Sequence, residues 1–150
     1  MDNQPPVYGA QPIGNYENLK IRDNEHLRLL SVFHFVVGGL ALLGIAFLVL
    51  HYLIMSEVFA HPERWQTKGT QPPPEFLAMF IWVYIFVGLI LITASVLNIL
   101  SGIFILQRKY RMFSLVIAGL DCLQVPIGTA LGVFTIIVLL RDSVRQSYSD

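Results

Sequence analysis

Polar and apolar positions along this chain segregate into long blocks instead of alternating. Residues 1–23 (MDNQPPVYGAQPIGNYENLKIRD) are rich in Pro, Gly, Asn and Gln and lack apolar periodicity. Such a segment buries too little surface to offset its ordering entropy, so it reads as a disordered tail. Without a basic start followed by an apolar stretch, it does not read as a signal peptide. The first apolar run extends from Leu27 to Met55, with Asn24 placed as an N-cap and Glu25 in the first turn. About 20 apolar residues cross a hydrocarbon core of about 30 Å, and this run exceeds that. It therefore predicts one spanning helix, tilted or extending beyond the surface. Residues 56–75 form a polar loop in which Pro72, Pro73 and Pro74 bar helix up to the next span. A second run, Phe76 to Leu106, again suffices for one span. Trp65, Trp82 and Tyr84 fall toward the loop ends, where amphipathic rings favour the headgroup layer.

The last apolar region, Met112 to Leu140, follows the basic turn Gln107-Arg108-Lys109-Tyr110-Arg111 and contains Asp121, Gln124, Pro126 and Gly128 near its middle. It is either one span kinked at Pro126 or a helical hairpin turning at residues 124–127. The hairpin places Pro126 at the first helical position, where its missing N–H costs nothing. It also moves Asp121 toward an interface and away from a charge penalty of roughly 2.5–3.5 kcal/mol. Short basic segments prefer the cytoplasmic side. Only four crossings put Lys20/Arg22/Arg28, Arg108/Lys109/Arg111 and Arg141/Arg145 together there. The expected fold is thus an all-α integral membrane bundle of four helices arranged as two hairpins. Its spans fall at about 27–55, 76–106, 108–124 and 126–145, with a cytoplasmic tail over 1–23 and an exterior loop over 56–75. The alternative has three spans, the last kinked at Pro126.

Composition agrees with this picture. Of the 150 residues 55% are hydrophobic and 13% charged, with mean hydropathy +0.62, against about 25% charge in a soluble domain. Ten basic residues balance ten acidic ones, so no basic surface exists to hold nucleic acid. The single cysteine, Cys122, excludes an intrachain disulfide.

The stretch Pro126-Ile-Gly-Thr-Ala-Leu-Gly-Val-Phe-Thr-Ile-Ile-Val-Leu-Leu-Arg-Asp-Ser-Val-Arg145 resembles a C-terminal pattern of small multi-pass bacterial membrane proteins of no assigned function, P-x-G-T-x-L-G-x-x-T-x-x-V-L followed by V-R or V-K. The matching residues are Pro126, Gly128, Thr129, Leu131, Gly132, Thr135, Val138, Leu139, Val144 and Arg145. The basic turn and the opening of the first span, Leu27-Arg28-Leu29-Leu30-Ser31-Val32-Phe33-His34, are similar too. The resemblance implies a bacterial inner-membrane protein with a cytoplasmic N-terminus and carries no activity with it.

Small residues give the clearest functional pattern, because in lipid they let helix backbones approach. Gly88, Ser95 and Gly102 recur at heptad spacing on the second span. Ser31, His34, Gly38 and Ala41 form a similar seam on the first, Ser114, Ala118 and Cys122 on the third, and Gly128 and Gly132 a G-x-x-x-G on the fourth. These seams serve packing within the chain or association with another subunit. Asp121 is the one acidic residue inside an apolar run, and with Gln124, Asn98 and Ser101 it makes a candidate polar cluster. That cluster either binds a proton or cation or satisfies backbone groups at the turn. His34 and His51 are too far apart on one helix to share a metal, so His34 is expected to bond between helices and His51 to sit at the outer interface. His26 and His61 lie in polar flanks, and neither a metal nor a cofactor is expected. Pro5-Pro6-Val7-Tyr8 matches the P-P-x-Y ligand of WW domains, a reader that bacteria lack. No nucleophile–base pair, H-E-x-x-H, G-x-S-x-G or phosphate-binding glycine loop is present. The expectation is therefore a non-catalytic accessory or scaffolding membrane subunit, associating with itself or a membrane partner. It handles no soluble small-molecule substrate and no nucleic acid. The alternative is a small oligomeric transporter or channel built around Asp121.

Overall fold

The computed structural model describes residues 13–65 and 73–148, and every regular element among them is helical. In chain order these are α1 (Ile13–Ala60), α2 (Pro62–Trp65), α3 (Pro74–Gln107), α4 (Arg111–Asp121), α5 (Ile127–Leu139) and α6 (Asp142–Arg145). Tail residues 1–12, including Pro5–Tyr8, the loop residues 66–72 and the Trp65 side chain lie outside the described set. Two helices are long and apolar enough to cross a membrane, residues Glu17–Ala60 of α1 and Ala78–Gln107 of α3. The chain divides into two compact units, His34–Leu100 and Met1–Phe33 with Ser101–Asp150.

The unit His34–Leu100 is an antiparallel pairing of α1 with α3. His34 meets Asn98, Gly38 meets Ser95, Gly44 meets Leu91, and Gly88 meets Leu48. Farther along, His51 meets Tyr84 and Phe59 meets Phe80, so one helix ascends in number as the other descends. Glycine fixes this spacing: a Cβ on Gly38 would lie 2.8 Å from the Ile99 side chain and 3.2 Å from the Ser95 carbonyl oxygen. α1 runs on to Ala60, into the segment expected as loop, and stops at His61 because a residue before proline is disfavoured in helical conformation. Pro62 then opens α2 and Pro74 opens α3, both at the first helical position that proline tolerates.

The second unit contains the first part of α1, the end of α3, and α4 to α6. Its start corrects the sequence reading. Residues 13–23, expected as disordered tail, belong to α1, and Asn24 is a mid-helix residue instead of an N-cap. The reason is tertiary. Asp23 is buried against Arg141 and Ser143, more than a hundred residues away, and Asn24 accepts a bond from Arg108. Such contacts override local composition, which sees only neighbours in sequence.

α3 ends in a Schellman motif. Lys109 N–H bonds the Phe104 carbonyl (3.1 Å) and Arg108 N–H the Ile105 carbonyl (3.3 Å), with Arg108 at φ 52°. Tyr110 is also left-handed (φ 50°) and precedes α4. Phe104 packs edge-on against Tyr110 and Phe113, which holds this corner. The hairpin then turns over residues 122–126, one to two residues before the expected 124–127. Pro126 is the N-cap of α5, not its first residue, and follows a cis peptide bond. α4 has 11 residues and α5 has 13, or about 16 Å and 20 Å at about 1.5 Å per residue. These are well short of the expected segments 108–124 and 126–145. The left-handed corner delays the start of α4, and extended Arg141 ends α5.

Candidate functional site

Three groups of polar side chains stand out in this apolar chain. The first holds α1 to α3 within His34–Leu100. His34 Nδ1 donates to Asn98 Oδ1 at 2.9 Å, since an amide oxygen only accepts. Asn98 Nδ2 donates to the Ala94 carbonyl at 3.1 Å, and Ser95 Oγ donates to the Gly38 carbonyl at 3.0 Å. His34, Ser95 and Asn98 are all buried. Each such hydrogen bond contributes about 0.5–1.5 kcal/mol net. His51 and the Tyr84 hydroxyl share a further bond of 2.5 Å where His51 is exposed. The sequence assigned His34 to bonding between helices, and the geometry has it there.

The second group lies inside the other unit. Ser31 Oγ donates to the Gly102 carbonyl at 2.8 Å, joining α1 to the end of α3. Ser114, Ile117, Ala118 and Asp121 form the buried face of α4. Gly128, Leu131, Gly132, Thr135, Val138 and Leu139 form that of α5. Gly128 and Gly132 are consumed at the contact between the two. A Cβ on Gly128 would lie 2.5 Å from the Asp121 carbonyl oxygen and 2.6 Å from Gln124 Cβ. One on Gly132 would collide with the Ala118 carbonyl and come within 2.6 Å of Cys122 Sγ. Arg111 Nε donates to the Leu139 carbonyl at 2.8 Å, tying the start of α4 to the end of α5.

Ser31, Gly38, Ser95, Gly102, Ala118, Gly128 and Gly132 are buried, and Gly88 is half-buried with Leu48 at 3.6 Å. These seams hold the chain to itself. Of the candidate cluster, Asp121 and Ser101 are buried in one unit, while Gln124 is exposed on the turn. Asn98 belongs to the other unit, where its amide serves His34 and Ala94.

The third group escaped the sequence. Asp23 accepts from Arg141 (2.8 Å) and from the Ser143 hydroxyl, and Arg141 also lies 3.5 Å from His26 Nδ1. Burial alone would raise the Asp23 carboxyl, but the Ser143 hydroxyl and the Arg141 and Arg22 guanidinium charges outweigh it and hold the group below its usual value. No signal local in the sequence announced this contact, which joins residues 118 and 120 positions apart. Among the described residues, no three His, Cys, Asp or Glu side chains gather as a metal site would require. Comparison with protein-family models, curated proteins and solved structures finds no match.

Proposed function

We propose that this chain is a non-catalytic integral membrane protein, an accessory or scaffolding subunit in which the apolar stretches of α1 (residues 27–55) and α3 (residues 76–106) cross the membrane and α4–α5 forms a second, shorter membrane hairpin. The observation that carries the membrane reading is exposure of the apolar helices themselves. Only 11% of the most apolar stretch of α1 and 6% of that of α3 is buried, whereas the core helix of a soluble domain would be mostly buried. Phe47, Trp82 and Phe86 are 66–72% exposed, and contiguous apolar surface of this extent needs a hydrocarbon or protein cover.

The accessory role rests on how the polar groups are spent. Ser31, His34, Ser95 and Asn98 bond across helices of their own chain. The small-residue seams are used in the same way, so association with a partner falls to the outward apolar faces around Leu43, Phe47 and Phe86. The three short basic segments and the C-terminal resemblance favour a bacterial inner membrane with the N-terminus in the cytoplasm. Photo-crosslinking from Leu43 or Phe86 in native membranes tests the role, and a discrete adduct with a membrane protein is the expected result. Reconstituted protein should show no proton or cation flux. A flux that Asp121→Asn abolishes would establish transport instead.

A further inference from the structure

The α4–α5 hairpin is too short to cross a bilayer and too greasy at its tip to end in water. Its arms are about 16 Å and 20 Å long, roughly half of a hydrocarbon core of about 30 Å. Both open ends lie at one level, because Arg111 Nε bonds the Leu139 carbonyl at 2.8 Å. That level is basic, with Arg108 and Lys109 before α4, Arg111 at its first position, and Arg141 and Arg145 after α5. At the opposite end, Leu123 is 79% exposed, Val125 81% and Ile127 63%, with Pro126 between them. A turn facing water would carry polar residues here. Gln124, a neutral amide, is the only exposed polar side chain between Cys122 and Ile127.

Resting on the membrane reading above, we propose that α4–α5 is a re-entrant hairpin. It enters the bilayer from the side of the basic residues, dips its Leu123–Ile127 tip into the acyl-chain region and returns to the same side. Irregular backbone at that depth must find partners within the protein. Cys122, Leu123 and Gln124 donate their N–H groups to Ala118, Leu120 and Asp121 at 2.9–3.1 Å. Thr129 N–H bonds the Gln124 carbonyl at 3.1 Å, and Thr129 Oγ1 donates to the Cys122 carbonyl at 2.8 Å. Pro126 has no N–H to satisfy. Tight contact of Gly128 and Gly132 with α4 keeps the two arms together without a third helix between them. The arrangement also keeps all three basic segments on one side, as four full crossings would, without asking either short arm to span.

The experiment uses the full chain with Cys122→Ala in proteoliposomes, and adds Leu123→Cys, Ile127→Cys, Lys109→Cys or Ser147→Cys one at a time. Each is probed with a membrane-impermeant maleimide from either side, and with bimane fluorescence quenched by lipids brominated at mid-chain. Lys109→Cys and Ser147→Cys should react from one and the same side. Leu123→Cys and Ile127→Cys should react from neither side and be quenched by mid-chain bromine. Reaction at the tip from the side opposite Ser147→Cys means a full crossing and overturns the proposal. Reaction at the tip from the same side puts it in water and overturns it as well, as does labelling of Lys109→Cys and Ser147→Cys from opposite sides. Phe47→Cys and Phe86→Cys separate the two claims. If bromine quenches them but not the tip, only the hairpin fails; if it quenches none, the membrane reading fails with it.

Discussion

Gly128, Gly132 and Gly119 occupy the same hairpin and meet opposite surroundings. A Cβ at Gly128 or Gly132 has a carbonyl oxygen in its way, whereas at Gly119 it meets nothing within 4 Å. Gly128→Ala and Gly132→Ala are therefore expected to destabilise the protein by about 1–3 kcal/mol, the ordinary cost of overpacking. Gly119→Ala should be neutral or stabilise by up to about 1 kcal/mol, since alanine is the better helix former. Thermal unfolding in mild detergent measures all three, and alkylation of Cys122, whose Sγ faces Gly132, should quicken in Gly132→Ala. Equal effects at Gly119 and Gly132 would contradict the packing described. Asp23 makes a second residue-scale prediction. Its carboxyl is held below the usual value of 3.8, so its contribution is complete above that value and is lost as pH falls through the lowered one. Asp23→Asn should reduce stability at neutral pH, and the difference from the parent chain should shrink below about pH 4.

Helices α1 and α3 show how far a sequence pattern reaches. Small residues at heptad and near-heptad spacing, Gly88, Ser95 and Gly102 on α3 and Ser31, His34 and Gly38 on α1, identified the inward face because close backbone approach admits little else. The ends of elements were less legible. Nothing local distinguishes Asn24 as mid-helix, because its partner Arg108 is 84 positions away. Arg108 and Tyr110 take left-handed conformations that favour glycine, so the end of α3 had no residue to announce it. The turn near Pro126 was legible because proline and a polar pair interrupt an apolar run; the shortness of its arms was not. At this scale the His34–Asn98 bond is the test. His34→Leu and Asn98→Leu should each cost about 1 kcal/mol, and the double variant should cost less than the sum, since each single change already removes the bond the two share. Additive losses in SDS unfolding titrations would show that the two side chains act independently.

For the whole molecule, the decisive quantity is the apolar surface that α1 and α3 leave uncovered. The candidate cluster was only partly legible, since apolar runs advertise an embedded Asp121 or Asn98 but not which groups they bond. Asn98 bonds His34 and the Ala94 carbonyl, Gln124 faces outward, and the polar residues of α1 and α3 read as structural fasteners. What then defines the protein is its solvent. Expressed membranes washed in alkaline carbonate and floated through a density gradient ask this directly. The chain should stay with the lipid and float, and leave it only with detergent. Recovery as a monodisperse monomer in the aqueous layer, without any amphiphile, would contradict the account.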